Sequence, residues 1–367
     1  MTIAERPISR AERPMFEPFP GVRLGPYRVD NRQLADDLSQ KRNNGREIEN
    51  LPELIRQRTG IEYRYFMQPV DQEPVSHNET VPNMAKAAAK AEIARAGWRT
   101  HDVDRIVFFS TYPLASQEEV GKQIAQDLDA FNIPDTKDIY SACSGSAVAL
   151  AYIGNVARYG QRILLIGAEH YSANMDPTDL NRSIFSDSVV TAAFIYGTDI
   201  EVVDMSELFH EDSDAIKAPV GQAPQGSISH SVPYAPKFDM NGRKVRDWVL
   251  NGEPVEQAVE LYDRAKRVTK GSKAVYLVSH QASGPTLNDY FGQLNQRGVP
   301  ESALPAPHVA KIGNLAAGSA LTEILALAHE TKLKKGDSVV AEAMGAGITS
   351  QGVTLRVNRD NPFRRPL

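Results

Sequence analysis

Apolar residues fall along this chain in short continuous runs, separated by amphipathic or small-residue stretches, and the order of the runs repeats. The first pass opens with "DRIVFFST" (104–111), a strand by its β-branched and aromatic content, followed by the helical "SQEEVGKQIAQDLDAF". A short strand, "DIYSAC", leads into a small-residue helix, "SGSAVALAYIGNVARYG", and the strands "RILLIGAE" and "VVTAAFIYG" close the unit. The second pass reads "KAVYLVSH" (273–280), the helical "GPTLNDYFGQLNQRG", a short strand "HVAKIGN", the helical "LAAGSALTEILALAHETK", then the strands "DSVVAEAMG" and "GVTLRVN". Continuous β-branched strands suit a sheet covered on both faces, and the helices between them suit crossover connections. The pattern predicts an α/β protein of two pseudo-duplicated halves packed as one body. The expected divisions are a loose leader (1–21), an N-terminal half (22–200), a connecting cap (201–254) and a C-terminal half (255–367). Ahead of the first pass, "ETVPNMAKAAAKAEIARAGW" predicts a further helix by composition.

Composition narrows the class. The 367 residues carry 41 Lys+Arg against 46 Asp+Glu, a net charge of -5, which gives no electrostatic case for nucleic acid or an anionic membrane. The one cysteine excludes an internal disulfide, and no Cys/His spacing matches a zinc site, so no metal is expected. No run approaches the length of a membrane span. The opening "MTIAERPISRAERPMFEPFPG" lacks the apolar stretch of a signal peptide, so a cytoplasmic location is expected.

The repeat draws attention to three residues. Cys143 ends a short strand and opens a helix, Asn314 stands at the comparable corner of the second half, and His280 ends that half's first strand. Sheet edges of this kind commonly carry sites in α/β proteins. A helix N-terminus carries roughly half a positive charge, so the Cys143 thiol is expected to be more acidic and more nucleophilic than a free one. Amides at the same helix start could bind a developing oxyanion. A lone cysteine is also an ordinary small buried residue, and only the joint placement of Cys, His and Asn favours chemistry. Papain-like enzymes share the order Cys, His, Asn, but no "CGSCW"-type stretch surrounds Cys143 and the duplicated layout is wrong for them. No G-x-S-x-G elbow supports a serine hydrolase. "GAGITSQG" leads into a strand rather than a helix, unlike a dinucleotide fingerprint.

Seven segments in order carry a more specific resemblance: "RTGI" (58–61), "SACSG" around Cys143, "DPTD" (176–179), "MNGRKV" (240–245), "HQA" (280–282), "GNLAAGS" (313–319) and "MGAGITSQG" (344–352). Together they resemble the thiolase-superfamily condensing enzymes, closest to β-ketoacyl-acyl-carrier-protein synthase III and its natural-product relatives. The resemblance implies a five-layered αβαβα fold, usually a homodimer, with no bound cofactor. It implies that Cys143 accepts an acyl group from a coenzyme A or carrier-protein thioester. His280 and Asn314 would bind the second thioester's carbonyl and assist decarboxylation of a malonyl-type extender. The Cys143 amide and the loop Gly345, Ala346 and Gly347 would form the oxyanion hole.

Departures from the family pattern mark where this chain differs. Leu54 stands where a Trp commonly stacks on adenine, and Leu180 where an Arg takes its other face, with Arg182 two residues on. Losing both clamps favours a carrier-protein donor. Arg58, Arg182, Arg243, Lys244 and Arg246 are the expected substrate or carrier contacts, with a further basic stretch, "DRAKRVTKGSK". His170 is a possible extra base, or a polar residue facing the cap or a partner subunit. Two other readings stay open: acyl transfer from the same cysteine to a hydroxyl or amine, and a non-catalytic subunit of a ketosynthase heteromer.

Overall fold

The computed structural model describes residues 14–42, 48–72, 76–114, 118–129, 135–175, 178–209, 216–217, 239–240, 242–250, 252–269, 273–345 and 349–363. The chain opens with strands β1 (Phe16–Phe19), β2 (Val22–Leu24) and β3 (Tyr27–Asp30), helices α1 (Asn31–Arg42) and α2 (Leu51–Thr59), strand β4 (Tyr63–Phe66) and helix α3 (His77–Arg95). The first pass follows as β5 (Arg105–Ser110), α4 (Val120–Asp127), β6 (Asp135–Tyr140), α5 (Gly145–Val156), β7 (Arg162–Glu169), α6 (Tyr171–Asn174) and β8 (Ser188–Ile195). Next come β9 (Ile200–Phe209), the two-residue strands β10 (Ile216–Lys217) and β11 (Asp239–Met240), α7 (Gly242–Leu250) and α8 (Glu253–Val268). The second pass is β12 (Val275–Ser279), α9 (Gly284–Gln296), α10 (Val309–Ile312), α11 (Ser319–Thr331), β13 (Ser338–Gly345) and β14 (Thr349–Val357).

Two sheets organise these elements. One has the order β1-β2-β8-β7-β5-β6 and the other β12-β13-β14-β9. The β5–β6, β5–β7 and β12–β13 pairs are parallel, which requires helical crossovers. Alternation along each strand then decides the layers. In β7, Ile163 and Leu165 face the central core while Leu164 and Ile166 face the core beneath α3 and α4. In β13, Val339 and Ala341 face the centre while Val340 and Met344 face α8 and α9. Helices α5 and α11 lie between the sheets, and every residue from Ser319 to Ala328 of α11 is buried. A helix covered on all sides cannot be amphipathic, which explains why this run is apolar or small apart from Thr322 and Glu323, the latter paired with His308. The fold is the five-layered thiolase-like αβαβα arrangement, with α3/α4, sheet, α5/α11, sheet and α8/α9 in order.

Three expectations are corrected. "HVAKIGN" is not a strand: it folds as α10 and a bend at Gly313, whose φ of 72° is left-handed. The cap does not begin at residue 201, because β9 runs to Phe209 and pairs antiparallel with β14 as the fourth strand of the second sheet. The leader is not loose throughout, because β1 pairs with β2, and β2 with β8. Residues 1–13 of that leader, and most of 210–241, lie outside the described residues.

Candidate active site

Both halves build the same turn at the same place. After β6, Ala142 adopts φ 43° and starts a single 3-10 turn, Ala142–Ser144, before α5. After α10, Ala316 adopts φ 49° and starts the 3-10 turn Ala316–Gly318 before α11. Left-handed backbone at a non-glycine residue is strained, so two such alanines mark corners that the surrounding fold imposes. The turns pack against each other so closely that a Cβ on Gly145 would lie 2.8 Å from Ala317 Cβ. The register refines the repeat: Cys143 corresponds to Ala317, and Asn314 stands two residues before the second turn.

Asn314 is held from several directions. Its backbone N–H donates to Ile184 O at 2.9 Å, and its carbonyl accepts Ser186 N–H at 3.0 Å. Its side-chain Oδ1 accepts Ala316 N–H at 2.8 Å and Ser319 Oγ–H at 3.1 Å. With the oxygen committed to its own loop, Nδ2 is left as the outward donor, one N–H reaching Ala282 O at 3.3 Å. Gly313 is needed beside it, since its positive φ and a Cβ 2.5 Å from Ser186 Oγ would exclude a side chain.

Ala282 O ties Asn314 to the segment that carries His280. The His280 N–H continues the β12–β13 ladder to Glu342 O at 2.9 Å. Gln281 Oε1 accepts Val309 N–H at 3.1 Å and so fastens the same segment to α10. His280 is 5% exposed. Burial pushes its imidazole down to about 4, so the ring is neutral at physiological pH and can donate from one nitrogen.

Cys143 is 8% exposed and sits with Tyr171, Met175, Phe185 and Ala316, with Tyr112 and Ile184 packed at the rim. The expected acidic thiol is corrected here. Burial, with the Glu169 carboxyl adding like charge, pushes the thiol up to about 12. The start of α5 acts against that burial rather than alone. Glu169 ends β7 and accepts Thr111 N–H at 2.8 Å and Thr111 Oγ–H at 3.0 Å. Burial raises its own carboxyl to about 8, so it is largely protonated at neutral pH.

The remaining expected contacts are scattered. Arg58 is exposed on α2. Arg182 is 2% exposed and donates to Asp37 Oδ2 at 2.9 Å over the face of Phe66, so it is buried structure and not an open adenine or carrier contact. Lys244 and Arg246 are exposed on α7, and Arg246 pairs with Asp289. The side chain of Arg243, and Ala346 and Gly347, lie outside the described residues; Gly345 ends β13. His170 is fully buried, with Nε2 4.0 Å from Asp187 and its carbonyl facing His77 Nδ1 at 3.3 Å. It is therefore enclosed by the chain itself. The residues lining Cys143, namely Tyr112, Tyr171 and Phe185, were not singled out from sequence; their one signal is that Tyr112 and Tyr171 each lie two residues past the end of a strand, β5 and β7.

Among the described residues, no group of three or more His, Cys, Asp or Glu could hold a metal ion. No described helix is long and apolar enough to cross a membrane.

Comparison with known proteins agrees with this layout. Residues 137–205 match the family described as 3-Oxoacyl-[acyl-carrier-protein (ACP)] synthase III, and residues 266–357 match its C-terminal counterpart. The first match contains Cys143 and the second His280 and Asn314. The β-ketoacyl-[acyl-carrier-protein] synthase III of Agrobacterium fabrum is 28% identical over 321 residues, covering 84% of this chain and 92% of that protein. The crystal structure of 3-oxoacyl-(acyl carrier protein) synthase III from Pseudomonas aeruginosa superposes with a TM-score of 0.69 at 23% identity, over 93% of this chain and 97% of that one. The priming β-ketosynthase of a polyketide biosynthetic pathway reaches a TM-score of 0.72 at 20% identity, over 95% and 98% of the two chains. Both family models match around the two corners and the fold is shared over nearly the whole length, so the chain is similar in sequence and in fold to condensing enzymes of the β-ketoacyl-[acyl-carrier-protein] synthase III type.

Proposed function

We propose that this protein is a ketosynthase that carries an acyl group on Cys143 and extends it with a malonyl-type or β-ketoacyl thioester in a specialised fatty-acid or polyketide-like pathway. What supports the reading is a neutral His280 and an Asn314 whose amide orientation is fixed by Ala316 and Ser319, with Ala316 itself packed with Cys143. Two neutral donors suit an oxygen that gains charge during reaction, because they need no proton release to act.

In the loading step, the Cys143 sulfur attacks the donor's thioester carbonyl. The new carbon–sulfur bond forms, the donor's breaks, and its thiol leaves with the proton that Cys143 gives up. A thiol raised to about 12 is not a standing thiolate, so the proton leaves in step with attack. In the condensing step, a malonyl-type thioester loses carbon dioxide and its enolate oxygen takes the His280 and Asn314 donors. The enolate carbon attacks the acyl carbonyl, forming the carbon–carbon bond and releasing the Cys143 sulfur, which takes up a proton. The Cys143 amide and the 345–347 loop are assigned the oxyanion in both steps. No metal or bound cofactor is required by this chemistry. The active form is proposed as a cytoplasmic homodimer, with an acidic carrier protein as donor or acceptor meeting the exposed face of α7 that carries Lys244 and Arg246.

Replacing Asn314 by Ala tests the assignment. Condensation, read as carbon dioxide release with chain lengthening, is expected to fall roughly 100-fold or more. Acylation of Cys143, read by intact-protein mass, is expected to fall far less. Equal loss of both in folded protein would remove Asn314 from the condensing step. Release of an ester or amide without carbon dioxide would move the reading to a hydroxyl or amine acceptor. No adduct in wild type would favour a non-catalytic subunit.

A further inference from the structure

The surroundings of Cys143 carry polar groups that the proposed reaction does not use. Tyr171 is 2% exposed and stacks on Phe185 with ring centroids 4.3 Å apart and planes within 10°. Tyr112 tilts against Tyr171 at 6.1 Å. The rings are therefore held, and their hydroxyls are held with them. Both hydroxyl oxygens are buried, and neither makes a hydrogen bond among the described residues. The two hydroxyls approach each other and Cys143, and that of Tyr171 also approaches Thr111, but none of these approaches meets full hydrogen-bond geometry. The adjacent acid does not serve them, because Glu169 Oε1 is taken by Thr111 and Oε2 faces Ser110 Oγ at 3.4 Å.

Buried donors without partners are rare in native proteins and mark a missing acceptor. Packing does not explain these two, since phenylalanine would fill the same ring positions without a hydroxyl to bury. Burial also holds both phenols un-ionised, so each remains a donor through neutral pH. The other lining residues, Met175, Phe185 and Ile184, supply apolar surface. The surroundings of Cys143 thus combine apolar side chains with two phenolic hydroxyls.

We infer that the acyl group accepted by Cys143 bears a hydroxyl or keto oxygen close to its thioester carbonyl, received by the hydroxyls of Tyr112 and Tyr171. This rests on the acyl-enzyme reading above. It makes Tyr112 and Tyr171 specificity-determining residues and places the enzyme after a reaction that forms a hydroxyacyl or ketoacyl thioester, not at the priming of a plain chain. A site built to hydrogen-bond an oxygen discriminates strongly against the analogue lacking it, because its donors are then left unpaired.

The test compares Cys143 loading by butyryl-, 3-hydroxybutyryl- and 3-oxobutyryl-coenzyme A, three donors of equal carbon count. Rates are read by intact-protein mass, with Cys143→Ala as control and the same acyl groups on a carrier protein as a second donor set. In wild type, one of the oxygenated donors should load at least about tenfold faster than butyryl. Tyr171→Phe and Tyr112→Phe should each bring that ratio toward one. The ratio is taken within each variant, so a general loss of activity does not imitate the effect. A wild-type ratio at or below one overturns the inference and leaves the acyl-enzyme standing. A high ratio that survives both Phe variants overturns the role of the tyrosines. Absence of any adduct from all donors overturns the acyl-enzyme reading, and this inference with it.

Discussion

Cys143, the proposed acyl carrier, sits under two opposed influences. The start of α5 favours a Cys143 thiolate, whereas burial and Glu169 disfavour it and push the thiol up to about 12. Alkylation by iodoacetamide should therefore keep rising about tenfold per pH unit through pH 9, with no plateau near neutrality. A plateau below pH 8 would show the helix start outweighing burial. Glu169→Gln should label a few-fold faster above pH 8, where the wild-type carboxyl ionises, since it removes a like charge and keeps an oxygen for Thr111. Cys143, His280 and Asn314 were legible in sequence as candidates, because thiol, imidazole and amide at sheet corners limit the chemistry available. The unpartnered hydroxyls of Tyr112 and Tyr171 were not legible, since a tyrosine after a strand end is ordinary until its surroundings are known.

At the scale of elements, the site depends on two turns pressed together about the pseudo-twofold. Gly145→Ala introduces a methyl 2.8 Å from Ala317 Cβ, so the turns must part. Overpacking of this kind is expected to cost about 1–3 kcal/mol in urea unfolding and to reduce Cys143 loading. Ala142→Gly should instead leave stability within about 1 kcal/mol, because glycine accepts the φ of 43° that alanine tolerates under strain. Equal destabilisation by both changes would count against the packing explanation. The small residues of "SACSG" and "NLAAGS" announced close approach in the sequence. Their register did not follow, because the short connection before Asn314 folds as α10 rather than as a strand. A run as short as "HVAKIGN" satisfies either period, and long-range bonds decide it: Gln281 to Val309, and His308 to Glu323 and Glu330.

Across the whole molecule, several buried titratable groups make stability depend on pH. Hydrogen bonds and charge from Glu323 and Glu330 outweigh burial and raise His308 to about 9. Burial raises Glu169 to about 8 and Glu342 to about 7. Each binds its proton more tightly folded than unfolded, so its contribution is full below the unfolded value and is lost as pH rises through the folded one. Burial lowers His77 and His280 to about 4, so their contributions run the other way and are lost as pH falls through that value. Between about pH 4.5 and 6.5 the two sets offset; above about 6.5 only the losses remain. The melting temperature should fall from pH 6.5 to 9, and Glu169→Gln or Glu342→Gln should flatten the decline; a rise over that interval would contradict the burial argument. The sequence by itself determined most of the repeated strand-and-helix order and the candidate Cys, His and Asn at its corners, because hydrophobic period and residue chemistry are local properties of the chain. Only the tertiary structure decided that β9 completes the second sheet, that Arg182 is internal, that burial raises the thiol and that two tyrosines pack around it. Pairing partners, burial and the electrostatic surroundings of a group are set by residues far apart in the chain, and they exist only once it has folded.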